Sequence, residues 1–316
     1  LPAAPLMHGT STWFSMPVLC RAGSVTTLVG RHLDAVEVLD AIVSGRINGI
    51  AIVGDAFARP LLAELDRAPA RWDLDSLRVV FSSGAMLSAD AKAALMRHAP
   101  NATIVDGLGS SESGFIGRAV VRPGGEPSTA HFVLSPDARV IDDDGNDVVP
   151  GSGQRGRLAV RGHLPLGYHN DAAKTAQTFV LLDGVRHVVA GDWAEVTSDG
   201  EIHLLGRGSE CINTGGEKVF PEEVEEALKT HPAVVDAVVV GEPDERFGER
   251  VVAVVQLRST EPGDDELRGH VRLVLAGYKV PKRIVRVPEI ARGANGKVDY
   301  KRVRAAAASG TSGTAS

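Results

Sequence analysis

The first third of the chain alternates short apolar runs with stretches in which apolar residues recur at helical spacing. Four of the runs predict strands, over residues 25–29, 49–53, 77–81 and 103–105. Between them, helices are predicted to begin at Asp34 and Ser88, whose side chains suit a helix N-terminus, and a further helix is predicted around Leu61. Strands that alternate with helices at this spacing are typical of a parallel, doubly wound sheet.

Residues 130–205 follow a different pattern, in which short strands are separated by turns. Two of these turns, at 143–146 and 198–200, combine Asp or Asn with Gly, which readily adopts the positive φ of a tight turn. We therefore predict an antiparallel β region here.

The last third of the chain predicts a small α+β domain. Pro221 stands where a first helical residue is expected, and Glu222 and Glu223 would lie in the first turn, where acidic side chains complement the helix dipole. Strands are predicted at 234–240, 251–257 and 284–287, and a helix is predicted at 266–275. After Arg304, a tail rich in Ala, Ser, Gly and Thr predicts disorder.

Together these patterns predict an α/β fold, with a doubly wound, mainly parallel sheet, an antiparallel β region and a small α+β C-terminal domain. The predicted divisions are 1–207 (sheet 1–120, β region 121–207), 208–304 and a disordered tail at 305–316. A chain of 316 residues, 43% of them hydrophobic, is long enough for two domains with separate cores.

Charge and cysteine content narrow the class of function. A net charge of −6 without a long basic run argues against nucleic acid as a partner. Cys20 and Cys211 form neither a disulfide framework nor a metal-ligand pattern, which favours a reducing, cytoplasmic location. The apolar runs are too short for a transmembrane segment. Because the chain starts at Leu1 in a loop-like sequence, we expect an upstream part to be missing.

Two polar, glycine-rich loops are predicted at carboxyl ends of strands, at 82–85 and 107–112. Ligands of doubly wound sheets bind at this edge. Ser110 and Ser111 would offer hydroxyls to a phosphate, and Glu112 would offer an oxygen to Mg²⁺. The alternative is an ordinary strand-to-helix turn in which Ser111 and Glu112 cap the helix.

Asp192 and Arg207 form the best candidate ligand pair. A carboxylate at a strand end can accept hydrogen bonds from both hydroxyls of a ribose, and a guanidinium adds donors in a fixed fork. The alternative is a salt bridge across a hairpin, which would not exclude ribose binding.

Three further features have both a functional and a structural interpretation. The Asn-Gly pair before Lys297 predicts a tight turn that presents this lysine, a point charge suited to a carboxylate and a phosphate, or else a solvated turn residue. Gly215 and Gly216 could admit a ligand closely or form an ordinary β-turn. His8 is either a residue beside a substrate or a surface or cap histidine.

The order of these elements resembles the adenylate-forming superfamily, which includes acyl-CoA synthetases, luciferases and peptide-synthetase adenylation domains. Residues 107–112 match its aromatic-Gly-x-Thr-Glu pattern at Gly109, Ser111 and Glu112, with Leu108 in place of the aromatic residue. Other matching segments, in the order of the family, are 5–8, 82–88, 156–162, 167–170, 191–192, 206–225 and 293–297. The family's Ser/Thr/Gly-rich phosphate loop, expected upstream of His8, does not occur in this sequence.

The resemblance implies a role for most matched positions. Nucleotide binding is implied for Ser83, Gly84, Ala85, Gly107, Leu108, Gly109, Ser110, Ser111, Asp192, Arg207 and Lys218. The remaining implied roles are Mg²⁺ binding by Glu112, CoA binding at Gly215 and Gly216, a hinge at Ser209 and Glu210, and catalysis by Lys297 and His8. Segments 156–162 and 167–170 are interpreted as structural, and the small domain is expected to be mobile.

The resemblance further implies an AMP-forming acyl-CoA synthetase, whose substrates are a small carboxylic acid, ATP and CoA. Residues 52–60 are similar to actinobacterial fatty-acid or steroid side-chain CoA ligases. Because the phosphate loop is missing, we expect the isolated chain to be inactive or weak. The alternatives are a non-catalytic remnant that binds nucleotide or a partner, and an adenylation domain that acts on a carrier protein. A homodimer remains open.

Overall fold

The computed structural model describes residues 1–30, 32–258 and 262–309. The chain divides into two compact units. One comprises Leu1–Leu204 and Ala294–Lys297, and the other comprises Leu205–Gly293 and the described part of Val298–Ser316.

The first unit begins with the alternation of helices and parallel strands that the sequence predicts. Its elements are α1 (Gly9–Cys20), α2 (Ala35–Ser44), β1 (Gly49–Ile52), α3 (Gly54–Arg67), β2 (Val79–Ser83), α4 (Ala89–His98) and β3 (Thr103–Ser110). Strands β1, β2 and β3 are parallel, and Val79 pairs with both Gly49 and Thr103. Helices α2, α3 and α4 bury their apolar faces in one core, which includes Leu39, Phe57 and Leu95.

Local hydrogen bonds explain why two of these helices begin where predicted. The Asp34 carboxylate accepts from the backbone N–H of Val36 at 2.9 Å and of Glu37 at 3.1 Å, and the Ser88 hydroxyl accepts from Ala91 at 3.3 Å. The strand predicted at residues 25–29 is wrong, because that segment has no regular structure and pairs with no strand among the described residues.

The rest of the first unit is mostly antiparallel, which confirms the predicted change of pattern. Its elements are β4 (Gly114–Val121), β5 (His131–Leu134), β6 (Ala138–Ile141), β7 (Arg155–Val160), α5 (Ala172–Thr178), β8 (Phe179–Leu182), β9 (Val185–Val188), β10 (Asp192–Val196) and β11 (Ile202–Arg207). The strand order is β1-β2-β3-β4-β5-β11-β10-β7-β9-β8, with β6 on β7. A second core, which includes Ile116, Phe132 and Ile202, lies against these strands.

The second unit is the predicted α+β domain. A 3₁₀ turn (Gly208–Glu210) is followed by β12 (Ile212–Thr214), β13 (Glu217–Val219), α6 (Pro221–Lys229), β14 (Val234–Asp244), β15 (Gly248–Leu257), α7 (Asp264–Arg272), a 3₁₀ turn (Gly277–Lys279), β16 (Arg283–Val287) and α8 (Tyr300–Ser309). Strands β14 and β15 form a long antiparallel hairpin, and β16 adds in parallel to β15. Pro221 is the first residue of α6, as predicted.

The final helix corrects the predicted end of the ordered chain. The sequence predicts disorder for 305–316, but residues 305–309 continue α8, where Val303 and Ala307 are buried against the outer face of the sheet. The remainder of that prediction, residues 310–316, lies outside the described residues. No helix within the described ranges is both long enough and apolar enough to span a bilayer.

Candidate functional site

The loop after β2 lies against the segment that contains His8. A Cβ placed on Gly84 would lie 3.2 Å from His8 Cε1 and 3.3 Å from Thr10 Oγ1, so only glycine fits there without displacing them. The Thr10 hydroxyl donates to the Ser83 carbonyl at 3.0 Å. The structure therefore brings together three predicted site residues, His8, Ser83 and Gly84.

The start of α3 holds this loop from the other side, through residues to which the sequence analysis assigned no role. Gly54 has φ of +56°, and a Cβ there would lie 2.3 Å from the Met86 carbonyl oxygen. Gly54 N–H donates to the Ser82 hydroxyl at 3.1 Å, and the buried Asp55 carboxylate accepts from Ser88 N–H at 2.9 Å. In the sequence, the only indication of this contact between the start of α3 and the loop is a glycine, Gly54, directly after the apolar run at 49–53.

His8 is the N-cap residue of α1, but its side chain makes no capping hydrogen bond. Its Nδ1 is buried and finds no hydrogen-bond partner among the described residues. Burial lowers the pKa of His8, and the positive charge of Lys297 lowers that pKa further. His8 is therefore mainly a neutral imidazole at pH 7, and one of its ring nitrogens is buried.

Lys297 ends the short segment Ala294–Lys297, which belongs to the first unit. Its backbone N–H donates to Asn295 Oδ1 at 3.1 Å, and Gly296 has φ of +76°. These features confirm the predicted tight turn, and the Lys297 side chain is exposed.

The loop at 107–112 is the turn of a β-hairpin, so the alternative of a strand-to-helix turn is wrong. Strand β3 continues through Ser110, and residues 111–113 turn directly into β4, so no helix follows for Ser111 and Glu112 to cap. A Cβ on Gly107 would lie 3.2 Å from the Phe81 ring, and a Cβ on Gly109 would lie 2.6 Å from the Gly114 carbonyl oxygen. The glycines are required by close packing inside a β-hairpin.

Within this hairpin, the predicted side chains have different surroundings. The Ser110 hydroxyl accepts from Ser113 N–H at 3.1 Å and lies 2.8 Å from the Ser113 hydroxyl, so it stabilises the turn. Leu108 is half-buried against the second core of the first unit, while Ser111 is exposed. Glu112 accepts a hydrogen bond from the Tyr168 hydroxyl at 2.7 Å.

A buried ion pair supports the base of the hairpin. Lys92 Nζ lies 2.8 Å from Asp106 Oδ2, and both side chains are almost fully buried. Lys92 also donates to the Ser128 carbonyl at 2.8 Å. Burial raises the pKa of Asp106, while Lys92 opposes that shift. The sequence signal for this pair was a lysine between the apolar positions of α4, and it was missed.

Glu112 suits one kind of metal site only. Across the described residues, no group of three or more His, Cys, Asp or Glu side chains could hold a metal ion. A cation at Glu112 would therefore need water and substrate oxygens as its other ligands. That is the usual arrangement for Mg²⁺, which binds one or two carboxylates together with phosphates.

The candidate ribose residues lie in different units. Asp192 belongs to the first unit, where it begins β10 after Gly191, so it starts a strand rather than ending one as predicted. Arg207 belongs to the second unit, where it is the exposed last residue of β11.

In the second unit, the two adjacent glycines form the tip of a hairpin. Thr214 pairs with Glu217, and Asn213 pairs with the exposed Lys218, so Gly215 and Gly216 are the two loop residues between β12 and β13. Their φ values are +62° and +89°, as a type I′ turn requires. The pair therefore forms a tight β-turn, and a Cβ on Gly216 would have no atom within 4 Å.

The predicted hinge residues Ser209 and Glu210 lie in a 3₁₀ turn, where Glu210 forms an ion pair with Arg304 at 2.7 Å. Just before this turn, Gly206 lies against Glu222, where a Cβ would lie 2.1 Å from Glu222 Oε2. Burial of Glu222, reinforced by the charge of Glu225, raises the pKa of Glu222 to about 8. The sequence marked Glu222 only as an acidic residue at a helix start.

Comparison with known proteins gives the family to which the chain belongs. Residues 1–169 match the family model described as AMP-binding enzyme, and residues 223–297 match that of the AMP-binding enzyme C-terminal domain. The first match covers more than half of the chain, and the chain belongs to the AMP-binding enzyme family. This confirms the resemblance to adenylate-forming enzymes.

Two of the curated relatives are mycobacterial ligases. The chain is 46% identical over 305 residues to a medium/long-chain-fatty-acid–CoA/3-oxocholest-4-en-26-oate–CoA ligase of Mycolicibacterium smegmatis, with 95% of this chain and 55% of the relative covered. It is 46% identical over 309 residues to the medium-chain acyl-CoA ligase Mig of Mycobacterium avium, with 97% and 56% covered. The chain thus spans about 55% of the length of these relatives.

Solved structures have the same fold. The amide bond synthetase McbA of Marinactinospora thermotolerans is 28% identical, with a TM-score of 0.79 over 96% of this chain and 60% of that one. ATP-bound MatB of Rhodopseudomonas palustris is 26% identical, with a TM-score of 0.80 over 96% of this chain and 59% of that one. These similarities confirm the predicted fold class.

Proposed function

We propose that this chain is part of an AMP-forming acyl-CoA synthetase that activates a carboxylic acid with ATP and then transfers the acyl group to CoA. The observation that carries the proposal is the cluster of His8, Ser83 and Gly84, together with the influence of Lys297 on the pKa of His8. A neutral imidazole, a glycine-lined loop and an exposed lysine are suited to bind a carboxylate beside a nucleotide phosphate.

In the first half-reaction, a carboxylate oxygen forms a bond to the α-phosphorus of ATP, and pyrophosphate leaves with the electrons of the broken P–O bond. Lys297 would stabilise the negative charge on the carboxylate and α-phosphate, because a fixed cation is worth most where charge develops. His8, neutral and buried at Nδ1, would position the acid by hydrogen bonding.

In the second half-reaction, the CoA thiol loses its proton and its sulfur attacks the acyl carbonyl carbon, and AMP leaves with the electrons of the broken C–O bond. The Gly215–Gly216 turn would let the pantetheine arm pass closely, since its tip is open. Ser209 and Glu210 would form the hinge on which the mobile second unit, divided near residue 207, changes its position between the half-reactions.

The other predicted residues complete the proposed nucleotide site. Asp192 and Arg207 would bind the ribose, and Lys218 would lie near a phosphate. The loops would contribute Ala85, Gly107, Leu108, Gly109, Ser110 and Ser111. Glu112 would hold Mg²⁺, which when bound neutralises phosphate charge.

The substrate class follows from the relatives. Two of them carry names that include medium- or long-chain fatty acids, and one of these names also includes a steroid acid. We therefore expect a fatty or steroid carboxylic acid, and a cytoplasmic location where ATP and CoA are available. A binding remnant, an adenylation domain for a carrier protein and a homodimer stay open as alternatives.

The test is acid-dependent exchange of labelled pyrophosphate into ATP, followed by thioester formation with CoA. It uses a panel of fatty and steroid acids and the chain fused to the preceding part of the Mycolicibacterium smegmatis relative. Exchange with at least one acid, and thioester formation only when CoA is added, is the expected result. Exchange without any transfer to CoA would favour the carrier-protein alternative, and adenylate binding without exchange would favour the remnant.

A further inference from the structure

A hydrogen bond connects the candidate Mg²⁺ ligand to a residue 56 positions away in the sequence. The Tyr168 hydroxyl donates to Glu112 Oε1 at 2.7 Å, and both side chains are half-buried in the first unit. We propose that Tyr168 is a positioning residue that holds the Glu112 carboxylate in its metal-binding orientation. The inference rests on the metal role proposed for Glu112.

The backbone of Tyr168 is fixed by the helix that follows it. Tyr168 N–H donates to the Thr175 hydroxyl at 2.9 Å, and that hydroxyl donates to the Asp171 carbonyl at 2.7 Å. A Cβ on Gly167 would lie 2.5 Å from Thr175 Cγ2, so the chain before Tyr168 packs tightly on α5. The position of Tyr168 is therefore determined by α5.

The ring of Tyr168 is held as well. Lys174 Nζ lies 4.3 Å from its centroid, and the Phe179 ring packs edge-on with centroids 6.0 Å apart. Arg186 in turn lies 4.4 Å from the Phe179 ring centroid. Cation–π and edge-on aromatic contacts fix a ring both in place and in tilt. A ring held in this way presents its hydroxyl at one point in space.

Glu112 needs such a partner because of where it lies. It is in the turn between β3 and β4, and a half-exposed glutamate on a turn samples several rotamers that must be restricted before it binds a cation. A carboxylate has lone pairs for several partners, so a hydrogen bond from a hydroxyl is compatible with cation binding. Residues that orient a metal ligand typically change metal affinity 10–100-fold when substituted.

The inference is tested with Mn²⁺ as a paramagnetic substitute for Mg²⁺. The chain, fused to the preceding part of the Mycolicibacterium smegmatis relative, is mixed with ATP and titrated with Mn²⁺, and the metal bound in the protein–ATP complex is quantified from the enhancement of water-proton relaxation over that of Mn²⁺–ATP alone. Tyr168→Phe should weaken Mn²⁺ binding about tenfold without changing the thermal unfolding midpoint by more than a few degrees. Tyr278→Phe, which removes a tyrosine hydroxyl from the second unit, is the matched control and should bind Mn²⁺ like the unsubstituted chain.

A double substitution separates positioning from a general structural effect. In a Glu112→Gln background, Tyr168→Phe should have little further effect on Mn²⁺ affinity, because the group that it orients has been changed. Lys174→Met loosens the ring but keeps the hydroxyl, and it should give an intermediate loss.

The outcomes distinguish failure of the positioning role of Tyr168 from failure of the metal role of Glu112. If Glu112→Gln abolishes Mn²⁺ binding while Tyr168→Phe binds as tightly as the unsubstituted chain, the positioning role is wrong and the metal role of Glu112 stands. If the unsubstituted fusion with ATP shows no such enhancement, or if Glu112→Gln shows the same enhancement, the metal role itself is wrong, and the positioning role is overturned with it.

Discussion

At the scale of single residues, Lys297 and His8 influence each other through charge. Lys297 lowers the pKa of His8, in addition to the effect of burial, so His8 stays neutral and adds no second positive charge to the site. The lysine then remains the main cation facing an incoming carboxylate. The sequence predicted the turn that presents Lys297, because an Asn-Gly turn is a local feature, but not its effect on His8, which depends on tertiary proximity.

Lys297→Ala should lower acid-dependent adenylation by on the order of 10²–10³, the usual cost of removing one fixed group that stabilises developing charge. Exchange of labelled pyrophosphate into ATP measures this step, in the chain fused to the preceding part of the Mycolicibacterium smegmatis relative. Thioester formation from supplied acyl-adenylate should change far less, since that step makes and breaks no bond at the α-phosphorus. Lys301→Ala, at an exposed lysine on α8, is the control. Equal losses in both half-reactions would contradict the assignment.

Glu222 makes the stability of the second unit depend on pH. Its pKa of about 8 in the folded state exceeds the ordinary value of 4.5, so the folded state retains a proton that the unfolded state releases. The contribution of Glu222 to stability is therefore fully present below about pH 4.5 and is lost as the pH rises towards 8. Contact with Gly206, far from α6 in sequence, causes this burial, so the helix pattern alone could not predict it.

Glu222→Gln mimics the protonated carboxyl and should remove this dependence. The difference in free energy of unfolding between this variant and the unsubstituted chain should grow by about 3 kcal/mol, in favour of the variant, from pH 5 to pH 8. Urea unfolding at a series of pH values measures the difference, and Glu245→Gln, at an exposed position on the β14–β15 hairpin, is the control. A constant offset between the Glu222→Gln and unsubstituted curves would show that Glu222 is not buried as a neutral acid.

At the scale of elements, predictions succeeded where local hydrogen bonds or sharp turns define the element. Asp34 and Ser88 cap helices, and Pro221 opens one, because a few neighbouring atoms decide these boundaries. The strand predicted at 25–29 failed because β-branched residues form a strand only when a partner strand is present. Residues 305–309, the alanine-rich end of α8, were predicted to be disordered because their composition is that of a linker, whereas Ala307 packs against the sheet together with Val303.

The hairpin tip at Gly215 and Gly216 gives an element-scale prediction. Both residues have positive φ, so Gly216→Val should destabilise the second unit by about 1–2 kcal/mol, whereas Gly216→Asn should cost less because Asn tolerates this conformation. Gly263→Ala, where φ is −71°, is the control. The side chain added at position 216 should also raise the KM for CoA and leave pyrophosphate exchange unchanged. A selective effect on pyrophosphate exchange would contradict the proposed CoA role.

At the scale of the whole molecule, the sequence predicted the structural class of each region better than the contacts between side chains that form the candidate site. Alternating strands and helices, a β region and an α+β domain all occur, because each periodicity is a property of one stretch of chain. The site depends on contacts between stretches, such as Gly84 with His8 and Tyr168 with Glu112. Motif order identified His8, Gly84 and Glu112, and only the fold showed what Gly54, Asp55 and Tyr168 contribute to these contacts.

The last prediction concerns what this chain can do alone. It spans about 55% of its curated relatives and contains no Ser/Thr/Gly-rich loop that could aim backbone N–H groups and a lysine at the β- and γ-phosphates. We expect the 316-residue chain to bind an AMP-ester analogue weakly and to exchange pyrophosphate at background rates. Fusing it to the preceding part of the Mycolicibacterium smegmatis relative should restore exchange, because that part would supply the missing phosphate contacts. Asp192→Ala in the fusion should weaken analogue binding whatever the acid, which separates loss of the ribose contact from loss of the phosphate loop. Comparable exchange rates for the chain and the fusion would show that such a loop is dispensable here.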